Sequence, residues 1–177
     1  MKKVIFLAVA LSILAAPAIA AEDMTGRIGL GFVHWDAPIG GRYWFSPKVG
    51  VDLNFGFDKS EFDQGDGTTE SFTDWRIMGG LPINIQNVAE RVHFNFLPAI
   101  QFANYDRGEG NDSDTDITII LALEFEVNVT SDFTVAASHG IRIDLYSPGA
   151  DGAESTTDIF TFGNNVTEFG FHYYLPK

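Results

Sequence analysis

Residues 49–57 read VGVDLNFGF and alternate without a break. Val49, Val51, Leu53, Phe55 and Phe57 share one parity; Gly50, Asp52, Asn54 and Gly56 share the other. A β-strand sends successive side chains to opposite faces, so this segment has one apolar face and one small or polar face. An amphipathic helix is excluded here, because its apolar positions would recur every three or four residues. The same period returns along the chain. Ile28, Leu30 and Phe32 oppose Gly29 and Gly31; Ile39, Tyr43 and Phe45 oppose Arg42; Trp75, Ile77 and Leu81 oppose Asp74, Arg76 and Gly80. Longer runs follow at 92–102, 117–127 and 133–143, and Phe169, Phe171, Tyr173 and Leu175 oppose Glu168, Gly170 and His172. Pro98 and His139 break the pattern on apolar parities, Leu97 and Ile120 on polar ones. A change of parity near Gly163-Asn164-Asn165 predicts a bulge.

These runs predict eight strands. Connections at 35–38, 46–48, 86–90 and 129–132 are short, whereas those at 58–70, 106–115 and 146–157 are long and rich in Gly, Ser, Asp and Glu. After the first, long and short connections take turns, which places them at opposite ends of an antiparallel meander. No tandem repeat and no second-domain boundary are visible. Residues 1–20 read as a secretory signal peptide, with Lys2 and Lys3, an apolar core and Ala18-Ile19-Ala20 before the cut; residues 21–177 are then the barrel domain. The apolar core is shorter than the ~20 residues of a spanning helix. The short Lys-Lys start is of bacterial type and implies export across an inner membrane.

The chain holds 24 acidic against 11 basic residues and no cysteine. That balance opposes nucleic acid as a partner, since a phosphate backbone requires a basic footprint. Zero cysteine removes disulfides, thiolate metal sites and thiol nucleophiles.

A soluble ligand-binding barrel and an outer-membrane barrel share this rhythm, with opposite faces wet. Three features favour the membrane form. Ten residues along a tilted strand cover an apolar band ~25 Å tall. The polar face is mostly Gly, Ala, Ser, Thr and Asn, and beyond the leader the only lysines are Lys48, Lys59 and Lys177, expected in turns or at the end. Small residues suit the crowded lumen of eight strands. Trp35, Tyr43, Trp44, Phe45, Phe72, Trp75, Tyr105, Tyr146, Tyr173 and Tyr174 are expected near strand ends, where interfacial girdles sit.

Glu168, Gly170, Tyr173 and Leu175 fit a terminal pattern of polar, glycine, aromatic and hydrophobic residues, and 40–51 reads GGRYWFSPKVGV. On these residues the chain, from about Thr25 to Leu175, resembles the small outer-membrane barrels of Gram-negative bacteria, the OmpA/OmpX-like superfamily. The tail departs from that pattern, because Pro176-Lys177 follows where many members stop on an aromatic. The resemblance implies recognition of this end by the barrel-assembly machinery, and an architecture that hosts many functions.

The expected fold is therefore all-β, an eight-stranded antiparallel up-and-down transmembrane β-barrel with a polar lumen. Its lumen parity holds Arg42, Arg76 and Arg142 with Asp52, Asp74, Glu124, Glu126, Asp144 and Glu168. An internal ion-pair network that plugs the barrel is expected, with a charged pore as the alternative. Asp112, Asp114 and Asp116 are oxygen-rich, but Ile117 stands where a calcium loop needs glycine, so a solvated acidic loop is expected. Divalent cations bridging such acids to lipopolysaccharide phosphates are the alternative.

Some barrels of this resemblance are lipid A deacylases with a His-x-Ser motif. None of His34, His93, His139 and His172 has Ser two residues later, and Ser138 and His139 point to opposite faces of a strand. The sequons at Asn111, Asn128 and Asn165 carry no meaning behind a bacterial-type leader. No catalytic, cofactor-binding or metal-ligating residue is assigned. The expected role is structural or interactional: envelope integrity, adhesion or recognition through acidic external loops. The expected partners are outer-membrane lipid, lipopolysaccharide and the assembly machinery. A soluble periplasmic barrel binding an apolar ligand is the alternative.

Overall fold

The computed structural model describes residues 23–32, 36–63, 69–108, 113–149, 153–161 and 168–176. It contains ten strands: β1 Ile28–Phe32, β2 Ile39–Trp44, β3 Gly50–Asp63, β4 Thr69–Gly80, β5 Ile83–Ala89, β6 Val92–Tyr105, β7 Asp114–Asn128, β8 Phe133–Ser147, β9 Thr156–Thr161 and β10 Glu168–Tyr174. They form eight staves. β4 and β5 both pair with β6 and are one stave broken at Leu81-Pro82. β9 and β10 both pair with β8 and are the two halves of the last stave. β10 also pairs antiparallel with β1, which closes the sheet into a barrel.

The short turns after β2, β5 and β7 gather at one end, while Asp36, on the connection between β1 and β2, lies at the other. In the first, Ser46 Oγ accepts from the Val49 amide at 2.9 Å; in another, Thr130 Oγ1 accepts from the Phe133 amide at 3.0 Å. Such hydroxyl-to-backbone bonds let a tight turn satisfy amides the ladder cannot reach. Between β7 and β8 the backbones come close at Gly140, where a Cβ would lie 2.1 Å from the Leu121 carbonyl oxygen. Only glycine fits there.

The apolar parity faces outward. Ile39 is 72 % exposed, Leu53 66 % and Phe169 70 %, while Arg42, Asp52 and Asn95 on the other parity are fully buried. The expected orientation therefore holds.

Several local expectations change. The β3–β4 hairpin extends through Asp63 and Thr69, so Lys59 lies within a strand rather than in a loop. Mostly polar residues form this part of the ladder, with Phe62 and Phe72 among them. The expected connection at 86–90 shrinks to Glu90-Arg91, because β5 runs to Ala89. Its register slips between Asn84/Gln86 and Asn87/Ala89, which scrambles the period-two signal. The signal segment, Trp35 and the bulge near Gly163-Asn164-Asn165 lie outside the described residues.

Candidate functional site

β7 runs through every layer of the lumen. Its inward residues are Asp114, Asp116 and Thr118, then Ile120 and Ala122, then Glu124, Glu126 and Asn128, and all are buried. The lumen is thus an ionic layer at the start of β7, called the outer layer, an apolar layer, and an ionic layer towards the short turn after β7, called the inner layer.

The inner layer centres on Arg42, carried by β2. Its Nε and Nη2 donate to the two oxygens of Asp52 on β3, both at 2.7 Å. Nη1 donates to Glu124 Oε1 and to Glu126 Oε2, each at 2.7 Å, and Nη2 reaches Glu124 Oε2 at 3.0 Å. The Asn95 side-chain amide on β6 donates to Glu124 at 2.9 Å and to Glu126 at 3.2 Å. The fork of the guanidinium suits this, since it presents five donors in fixed directions.

Below this layer, Trp44 Nε1 donates to the Tyr174 hydroxyl at 3.0 Å, and that hydroxyl donates to Glu126 Oε1 at 3.3 Å. Trp44 and Tyr174 are therefore lumen residues, not members of an interfacial girdle. Their strands end one residue off the parity that faces outward, and the polar atom of each ring finds a buried partner. Tyr43, Phe45 and Tyr173 do face outward. At the short-turn end, Arg27 ties the floor to the 129–132 turn through Asp132 and the Ser131 carbonyl, with its guanidinium 5.3 Å from the centre of the Tyr174 ring.

The middle layer is Ala37, Met78, Leu97, Ala99, Ile120 and Ala122. Leu97 and Ile120, the exceptions to the polar parity, are the large aliphatic side chains of this plug. Asn54 and Gln101 lie fully buried on the same parity.

The outer layer centres on Arg142, carried by β8. Its Nε donates to Asp144 at 2.7 and 2.9 Å, and Nη1 donates to Asp36 Oδ2 at 2.9 Å. The Thr118 hydroxyl donates to Asp144 Oδ1 at 2.8 Å. Asp114 accepts from Tyr146, from Arg107 and from the Gly149 amide. Bonding to Asp114 and then Tyr146 holds the Arg107 guanidinium, on the connection after β6, above its ordinary pKa.

The expected ion-pair network is present, but split in two by aliphatic side chains. Arg76 and Asp74 belong to neither half: Arg76 lies over the Tyr105 ring at 5.4 Å, and Asp74 accepts from the Asp106 amide at 3.1 Å. Asp114 and Asp116 are buried strand residues rather than parts of a solvated loop, while Asp112 lies outside the described residues. Among the described residues no group of three or more acidic, histidine or cysteine side chains is arranged to hold a metal.

Three of the four histidines lie among the described residues. His93 is buried between Asn87 and Asn128, at 2.9 and 3.1 Å, and His172 is buried in the lumen. His139 is exposed on the outer wall opposite Leu123, and His34 lies outside the described residues.

No family model matches the sequence, and comparison with the curated proteins gave no match. Among solved structures, the chain is similar to Ail, the attachment invasion locus protein of Yersinia pestis. The match has 18 % identity and a TM-score of 0.39, and covers 84 % of this chain and 94 % of that one.

Proposed function

We propose that this chain is a bacterial outer-membrane barrel with a structural or surface-interaction role and a lumen closed to solutes. The observation that carries the reading is the order of side chains along β7. An apolar layer sits between two ionic layers, with aromatic and aliphatic residues facing outward at every level. Exposed side chains such as Leu53 and Phe169 cost ~25 cal/mol per Å² of apolar surface in water, so a lipid surround suits them. Inside, Leu97, Met78 and Ile120 fill the cross-section where a channel would pass. Eight strands leave little lumen in any case.

Whatever the protein recognises is then met by its outer, acidic end. The test combines fractionation with electrophysiology. The expected result is a heat-modifiable band in the sarkosyl-insoluble envelope fraction, and no steady channel steps from the refolded protein in planar bilayers. A freely soluble periplasmic product would favour the ligand-binding alternative, and large stable steps would overturn the closed lumen.

A further inference from the structure

We propose that the outer mouth of the barrel binds an organic ammonium group, at a pocket formed by Asp116, Asp144 and Asp158 with the rings of Tyr105, Tyr146 and Phe160. The pocket has a volume of about 350 Å³ and lies between β6, β7, β8 and β9. It adds a ligand class to the surface-interaction reading and rests on that reading only for facing the exterior.

Asp116 carries the argument. Its side chain is more than nine-tenths buried, and no donor among the described residues reaches its Oδ1. Its Oδ2 fares little better. The Thr118 hydroxyl lies 3.4 Å from Asp116 but 2.8 Å from Asp144, and a hydroxyl has one proton to give. The Arg142 guanidinium is 3.9 Å away, beyond hydrogen-bond range, and is already committed to Asp144 and Asp36. A carboxylate held this way is costly unless donors arrive from outside the chain.

The chemistry of the walls selects which donor. Asp158 on β9 is exposed and joins Asp116 and Asp144 in the lining, which gives the pocket three carboxylates. Arg107 also lines it, but that guanidinium is bound by Asp114. Aromatic walls attract an ammonium through the negative faces of their rings. A hard metal ion would instead want several oxygens converging at fixed short distances, and the described side chains offer no such set. A primary ammonium on an alkyl arm satisfies both kinds of wall, donating to Asp116 while its methylenes lie along Tyr146 or Phe160. A free alkylamine and a lysine side chain share this chemistry.

Calorimetric titration of the refolded full-length barrel in detergent, at constant ionic strength, tests it. The probes are n-pentylammonium and Nα-acetyl-lysine amide, with n-pentanol and calcium as controls. Saturable binding of either ammonium probe is expected, and the ratio of the two affinities separates a free amine from a protein lysine. D116N should weaken binding about tenfold, as loss of a charge-assisted contact does. D158N, on an exposed strand, should weaken it about threefold, as loss of a solvated charge does. Heat-modifiable mobility establishes that both variants fold. No saturable binding, equal binding of n-pentanol, tighter binding of calcium, or affinity unchanged in both variants would each overturn the proposal. Surface labelling of intact cells at a cysteine placed at Thr156 tests the outward orientation separately, so failure of the ligand and failure of the membrane reading remain distinct.

Discussion

The two ends of one lumen handle buried charge differently. At the inner end, Arg42 is fully enclosed, every one of its donor nitrogens meets a carboxylate, Asn95 donates to two of the same oxygens, and Tyr174 takes the Glu126 Oε1 that Arg42 leaves. At the outer end, the Arg142 side chain keeps 22 % of its surface, its partner Asp36 keeps 35 %, and Asp116 Oδ1 has no hydrogen-bond donor among the described residues. The inner layer behaves as a lock that must be complete. The outer layer has access to water, tolerates imperfect pairing and can accept a visitor. The apolar layer between them keeps the two regimes apart.

Arg42→Met gives the largest expected effect. It takes from Asp52, Glu124 and Glu126 the guanidinium that bonds all three, and breaking a buried pair costs ~3–5 kcal/mol. Urea titration read by heat-modifiable mobility measures it. A loss under about 1 kcal/mol would mean that water reaches the inner layer and that the contrast between the ends is false.

Ile120→Ala attacks the partition itself. A buried aliphatic truncation costs ~2–5 kcal/mol, and the low end is expected because the flexible Met78 can relax into the space. Combined with Leu97→Ala it should produce detectable leak currents in planar bilayers. A doubly truncated barrel that folds and stays electrically silent would show that the ionic layers alone exclude solutes.

Tyr174→Phe removes one hydroxyl that both accepts from Trp44 and donates to Glu126. The expected cost is ~1–2 kcal/mol, measured by the same urea titration, with a shift in tryptophan emission as the local readout. No change in either would return Trp44 and Tyr174 to a peripheral role.

This pair also marks where sequence reading stops. The alternation at 49–57 and 117–127 reveals strands and faces, because an apolar outer wall on one side and a crowded lumen on the other enforce a strict period. The ionic partners were nameable as a set, since Arg42, Asp52, Glu124 and Glu126 share the inward parity. Who meets whom was not legible, because that depends on stagger between staves distant in sequence: Arg42 reaches Glu124 across the barrel. Trp44 and Tyr174 misled because an aromatic at a strand end has the same composition signal whether it faces outward or into the lumen. Leu97 and Ile120 read as lapses in pattern, although an apolar residue on the polar parity is the trace of a plug. The pocket at Asp116 was hidden for a third reason. Its D-x-D-x-D setting suggests a loop, and only the start of β7 at Asp114 turns the run inward.

Arg142→Met offers the finest test of the contrast. The substitution removes a cation bonded to Asp144 and Asp36, yet both carboxylates sit where water can replace it. The expected destabilisation is at most ~1 kcal/mol. Salt separates this case from Arg42 more sharply than magnitude does. At ~1 M salt the Debye length falls to ~3 Å, so attraction across the solvated outer layer is screened and the difference between Arg142→Met and the parent should shrink towards zero. Ions cannot enter the enclosed inner layer, so the deficit of Arg42→Met should hold at the same salt. Parallel urea titrations of the two variants at low and high salt decide the matter: equal salt response would place both arginines in one dielectric environment and dissolve the distinction between a locked floor and an open mouth.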